Sequence, residues 1–207
     1  MALVSTFELL LKPQLPAATT DDFPALANLS RNILQGYFLT IANVNFFDVT
    51  ISIVLTVKFP VDPLNPTVQT LTIDDLLQAL DISGNNLISS STIPGPKILG
   101  TLTPEVAPNK ARLTFILPAN ATGLLLIQPN ILDPDLLAAL NFEARGYVEV
   151  FLSSLSGSDS ATLLITPEHR GTFFKDINGE TFPQVGLDQI SYALPVSNGG
   201  IFRLSNN

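Results

Sequence analysis

From position 47 to 59 the chain alternates. Phe47, Val49, Ile51, Ile53, Leu55, Val57 and Phe59 are apolar, and Asp48, Thr50, Ser52, Thr56 and Lys58 between them are polar, with Val54 the exception. Period-two alternation sends successive side chains to opposite faces of a strand, so this run specifies one face for a core and one for solvent. A helix would spread the same residues around its circumference. The β-branched residues of the run also suit a pleated surface.

The same reasoning predicts further strands. Tyr37, Leu39 and Ile41 alternate with Phe38, Thr40 and Ala42, and Asn43-Val44-Asn45 supplies turn chemistry, which predicts an antiparallel hairpin with 47–59. Strands are expected over 3–12, ending at Pro13, and over 68–73, 110–117, 146–152, 161–166, 190–194 and 201–204. Residues 123–128 are apolar on both faces, as in a central strand covered on both sides. Residues 172–176 and 180–182 flank Asn178-Gly179, a dipeptide that tolerates the positive φ of a type I′ hairpin turn. Two segments read as short helices. Asp133-Pro134-Asp135-Leu136-Leu137-Ala138-Ala139-Leu140 has a capping residue and proline at the first helical position, and 72–80 has Asp74 and Asp75 in its first turn. Both contain the string Asp-Leu-Leu-x-Ala-Leu.

Sixteen prolines and twelve glycines punctuate these elements at intervals typical of a sandwich or barrel. The fold expected is all-β: a two-sheet antiparallel β-sandwich with Greek-key connections and one or two short helical connections. It forms a single domain over 1–207, with 153–207 as an added strand layer or edge. Strand count and turn spacing resemble an immunoglobulin-like or jelly-roll-like architecture. The Cys…Trp…Cys core signature of immunoglobulin domains is missing, since the chain has neither residue. The resemblance concerns architecture and implies no function.

Composition narrows the function classes. The net charge is −8, and the ten Lys and Arg residues are scattered, which removes the footprint of a nucleic-acid binder and of adhesion to an anionic membrane surface. With no cysteine, disulfides, thiolate catalysis and thiolate metal sites are excluded. The longest uncharged run, 113–132, is interrupted by Pro118, Asn120, Gly123, Gln128, Pro129 and Asn130, so it does not read as a spanning helix. The first residues lack a basic stretch and reach Glu8 early, unlike a secretion signal, and a cytoplasmic location is the default expectation. Charged residues are 14% of the chain, against about 25% in an average globular protein. Mean hydropathy is +0.36. Such a chain has either a large core or apolar surface that something else covers.

Candidate chemical groups are few. His169, the single histidine, stands in Pro167-Glu168-His169-Arg170-Gly171. As a general base it would need Glu168 or Asp176 to orient it and an exposed nucleophile, and no Gly-x-Ser-x-Gly elbow is present. As a surface turn, the segment would simply hydrogen-bond backbone or carboxylates. Asp176-Ile177-Asn178-Gly179-Glu180 resembles a fragment of a calcium loop but lacks the third alternate ligand and the flanking helices, and a hairpin turn accounts for Asn178-Gly179. Asp21-Asp22, Asp74-Asp75 and Asp133-Pro134-Asp135 are the acidic clusters, and helix capping suffices for the last two. Asn28 and Asn120 begin glycosylation sequons. The Ser-rich stretch 153–160 and residues 85–92 are candidate polar surfaces. No catalytic, cofactor or metal residue emerges.

The expectation is a non-enzymatic structural or assembly protein that packs with itself, as a homo-oligomer, or with a protein partner. The alternative is a binding module for carbohydrate, lipid or peptide at one end of the sandwich. A hydrolase built on paired carboxylates ranks third.

Overall fold

The computed structural model describes residues 1–15, 17–27, 30–59, 71–81, 97–101, 109–176 and 185–206. Over these residues it is mostly antiparallel β, 61% strand and 13% helix. The strands are β1 (Ala2–Pro13), β2 (Asn32–Asn43), β3 (Val49–Lys58), β4 (Leu76–Asp81), β5 (Lys97–Thr101), β6 (Lys110–Leu117), β7 (Thr122–Pro129), β8 (Phe142–Leu152), β9 (Ser160–Phe174), β10 (Asp188–Ala193) and β11 (Ile201–Ser205). Short helices α1 (Ala17–Asp22) and α2 (Pro24–Ala27) lie between β1 and β2, and α3 (Pro134–Ala139) lies between β7 and β8.

These strands form one 11-stranded sheet that curls into a half-barrel, which corrects the two-sheet sandwich expected from turn spacing. Eight strands run in the order β5-β4-β7-β2-β1-β8-β3-β6, and β9 branches from β2 with β10 and β11 on its outer edge. The curl originates at β2. Residues 32–35 of β2 pair with β1, from Asn32↔Pro13 to Gln35↔Leu10, and residues 37–42 pair with β7. Both partners use the same edge, because β9 occupies the other edge from Asn32 to Asn43. Gly36 stands at the fork. Beyond it β1 leaves β2 and follows β8 as far as Ala2↔Val150. An immunoglobulin-like or jelly-roll arrangement would keep two ladders apart. Here the short β1–β2 seam joins the two arms, and their apolar faces close on one core.

β3 carries the strongest part of that core. Val49, Ile51, Ile53, Leu55 and Val57 are fully buried, as the alternation requires, and each such side chain contributes roughly 1.5–3 kcal/mol by leaving water. The other face is less polar in its surroundings than expected: Ser52 and Val54 are buried too, and Ser52 Oγ lies 2.7 Å from Thr114 Oγ1 of the neighbouring β6. Aromatic pairs brace the interior, with Phe7 and Tyr37 ring centres 5.4 Å apart and Phe59 and Phe142 6.2 Å apart.

The hairpin expected between 37–42 and 47–59 does not form. β3 pairs with β6 and β8, whereas β2 pairs with β1, β7 and β9. The residues between them form an arch that carries the chain from one arm to the other. The helix expected over 72–80 is also corrected. Only Ile73–Asp75 turns helically, as a 3-10 turn capped by Thr72, and the following residues are β4. All six residues of β4 are buried, in a strand paired with β7 and β5, so tertiary packing overrides the helical pattern. The matching string at 135–140 does form a helix. There the Asp133 carboxylate accepts from the Asp135 and Leu136 amides, and Leu140, at φ 47°, ends α3.

The surface turn expected around His169 is part of β9, which pairs with β2 from Leu163 to Phe174. Pro167 is tolerated there because of what lies on the outer edge. β11 pairs with 160–164 and β10 with 168–173, so the missing amide hydrogen falls at the junction between them. The Pro167 carbonyl still accepts from the Leu194 amide at 2.9 Å. The expected strand 68–73 and the hairpin strand 180–182 lie largely or wholly outside the described residues; Leu71 and Thr72 are not in a strand. The Lys175 amide donates to the Val185 carbonyl across the base of that second segment.

Candidate functional site

At one end of the half-barrel, β2, β6, β8 and β11 finish and β3, β7 and β9 begin. The arch between β2 and β3 lies at this end, and it is held by amide side chains. Asn43 is buried; its Nδ2 donates to the carbonyls of Phe47, Leu117 and Pro118 at 2.9–3.0 Å, and its Oδ1 accepts from the backbone and side-chain amides of Asn45. Asn45 in turn clasps the backbone of Thr162 in β9, donating to its carbonyl at 2.8 Å and accepting from its amide at 3.2 Å. The Asn45 carbonyl accepts from the Asn120 amide, and Asp48 Oδ1 accepts from the Ala119 amide at 2.9 Å.

The arch is therefore fixed to three other parts of the fold, yet its apolar side chains face outward. Phe46 is 92% exposed, and Val44 and Phe47 are exposed as well. Leu155, on the connection from β8 to β9, is 79% exposed at the same end, where the Ser153 amide donates to the Thr50 carbonyl. An apolar side chain on a loose loop can fold back onto the surface. A side chain on a pinned backbone cannot, and it loses little further freedom when something covers it. The Ser-rich stretch contributes this leucine more than a polar surface, since Ser153 and Ser158 hydrogen-bond within the loop itself. Alternation places Phe47 with the core residues of 49–59, but it is exposed here, and so is Phe46. The adjacent aromatic pair was the available signal, because two successive strand residues cannot both face one core.

A second cluster surrounds His169, which is buried. Its Nε2 accepts from the Glu8 backbone amide at 3.1 Å, and its Nδ1 lies 3.0 Å from Tyr192 Oη. Tyr192 donates to Gln35 Oε1 at 3.3 Å, and Gln35 Nε2 donates to the Glu8 carbonyl at 3.0 Å. Glu8 lies where β1 has just left β2, so the side chains of His169 and Gln35 satisfy backbone groups that the fork leaves without a strand partner. Burial pushes the imidazole below its ordinary pKa, and the Glu8 carboxylate opposes the shift. Neither Glu168, paired with Arg170 at 3.1 Å, nor Asp176, beyond the end of β9, hydrogen-bonds the imidazole.

A third feature is an open groove of about 510 Å³ on the outer face, lined by Leu34, Gly36, Phe38, Gln128, Arg170 and Gln189 among others. The Arg170 guanidinium sits 4.3 Å above the Phe38 ring. The remaining candidates are structural or scattered. Asp75 and Asp133 cap short helical turns, and Asp21 and Asp22 are exposed on α1. Asn120 occupies a turn at φ 56°. Residues 28, 85–92 and 177–180 lie outside the described residues. Among the described residues, no three His, Asp or Glu side chains come together as metal ligands, and no helix is long and apolar enough to cross a membrane. Comparisons with protein-family models, curated proteins and solved structures match none to this chain, so a functional reading rests on its own geometry.

Proposed function

We propose that this protein is a non-enzymatic assembly subunit that packs through the arch end of its half-barrel, with copies of itself or with a protein partner. The observation that carries the reading is Phe46, held outward on a backbone pinned by Asn43 and Asn45. Buried aromatic anchors dominate association energies, and rigid presentation lowers the ordering cost. Low charge and high mean hydropathy agree with a surface that is covered in use. Sedimentation equilibrium over a concentration series tests self-association. The wild-type mass is expected to rise with concentration, and Phe46→Ser to weaken association by at least about 2 kcal/mol, roughly thirtyfold, with its melting temperature unchanged. A wild-type chain that stays monomeric throughout would sink self-packing.

A second reading has the outer groove behind it: a site for a carbohydrate or peptide, with Gln128, Gln189 and Arg170 as hydrogen-bonding groups and Phe38 as an apolar wall. Its volume falls within the usual range of about 300–1,000 Å³ for ligand clefts. A thermal-shift screen with sugars and short peptides should raise the melting temperature of the wild type and not of Arg170→Ala. Equal responses of the two proteins, or none, would end this reading.

A further inference from the structure

The hydrogen bonds around His169 form a closed ring in which every donor points the same way round. The Glu8 amide can only donate, so Nε2 must present a lone pair. Tyr192 gives its hydroxyl hydrogen to Gln35, so the hydrogen between Tyr192 and His169 comes from Nδ1. Gln35 then returns to Glu8 through its own amide. This pattern fixes a neutral imidazole with its proton on Nδ1. A second proton has one place to go, Nε2, and there it would meet the Glu8 N–H, donor against donor.

The groups that face the ring are the following. From β1 there is Glu8, whose carboxylate is bonded to Arg145 of β8 at 2.8 Å. From β2 there is Tyr37, edge-on to the imidazole at 6.3 Å and hydrogen-bonded through its hydroxyl to Ser5. From β10 there is Tyr192, and on β9 itself Glu168 and Arg170 flank the histidine and pair with each other. Every residue of β10 is exposed. Its described attachments are the ladder to β9, the Tyr192 link into the ring, and an ion pair between Asp188 and Arg31. An edge strand with so little buried surface belongs to the low-stability end of a fold.

We propose that this ring is a proton-operated latch: neutral His169 fastens the edge strand β10 to the fork between β1 and β2, and its protonation releases Tyr192 and loosens β10. The sign follows from burial. The unfolded chain takes up the proton at an ordinary value near about pH 6.5, before the folded one does. The stabilisation is therefore complete above that pH and is lost as pH falls through the lower value of the folded state.

Because the chain has one histidine, its imidazole signals in the NMR spectrum of the full protein are unambiguous. Expected are a midpoint below about 6.5 and nitrogen shifts of the Nδ1–H tautomer. On acidification below about pH 6.5, amide exchange in 188–193, corrected for intrinsic rate, should accelerate by up to about tenfold per pH unit until the folded protein's own midpoint is reached. His169→Gln keeps an acceptor for the Glu8 amide but cannot titrate, so the acid response of β10 should vanish. Tyr192→Phe should leave the histidine titrating while β10 exchanges quickly already at neutral pH. The proposal is overturned by an ordinary or raised midpoint, by the Nε2–H tautomer, or by wild type and His169→Gln exchanging β10 alike at both pH values. If His169→Gln fails to fold, the wild-type titration, tautomer and exchange decide the matter.

Discussion

Gly146→Ala is expected to unfold the protein, or to lower its stability by about 3 kcal/mol or more in denaturant unfolding followed by circular dichroism. Gly146 lies on β8 between Phe7 of β1 and Val57 of β3. A Cβ built there would fall 2.6 Å from Cζ of Phe7 and closer still to the backbone carbonyl oxygen of Thr56. An aromatic ring can tilt away, but a carbonyl within a ladder cannot move without breaking its strand. The double variant Gly146→Ala with Phe7→Leu should therefore recover nothing. Recovery would show that ring packing, not backbone approach, demands the glycine. Phe7 lies over the bare backbone of Gly146 and fills the space that a side chain would take, as aromatics do for strand glycines elsewhere.

The second large effect is expected at Asn43. Asn43→Asp conserves the shape but replaces the donating amide with a carboxylate facing the carbonyls of Phe47, Leu117 and Pro118. Buried acceptors left without donors cost about 1–3 kcal/mol each, so a loss of about 3 kcal/mol or more is expected at neutral pH. Asn43→Ala should lose a similar amount. If both variants unfold like the wild type, the arch does not depend on this side chain. Where the fold survives, amide exchange of residues 44–48 should accelerate, and the self-association proposed above should weaken with it because Phe46 is no longer held in place.

Strand existence was legible in the sequence wherever one face is buried and the other is not. The buried positions of β3 and of β6, where Ala111, Leu113, Phe115 and Leu117 point inward, follow the alternation. Pairing was not legible, because alternation names a face and not a neighbour. Turn chemistry at Asn43-Val44-Asn45 suggested a hairpin, yet those amides turn the chain across the core by clasping β9 and the connection between β6 and β7. The string Asp-Leu-Leu-x-Ala-Leu shows the limit most plainly. With Pro134 and the Asp133 cap it is a helix, and between β7 and β5 it is a strand. His169 reads from sequence as part of a surface turn, yet it lies within β9. Only the end-to-end placement of β10 and β11 reveals why proline fits within β9.

The pairing order has a consequence for how the chain is made. β1 needs β8 along most of its length, and β2 needs β9 from end to end, so the two strands that emerge first have partners that emerge late. At ribosomal speeds of about 5–20 residues per second, β2 waits on the order of ten seconds for β9. Until β7 emerges Tyr37, Leu39 and Ile41 have no strand partner on either edge, and β7 then covers only one of the two, the other staying open until β9 arrives. Folding cannot proceed from the amino terminus onward, and nascent chains stalled before residue 160 should be bound by holding chaperones and cut readily by protease, while chains released after β9 should not.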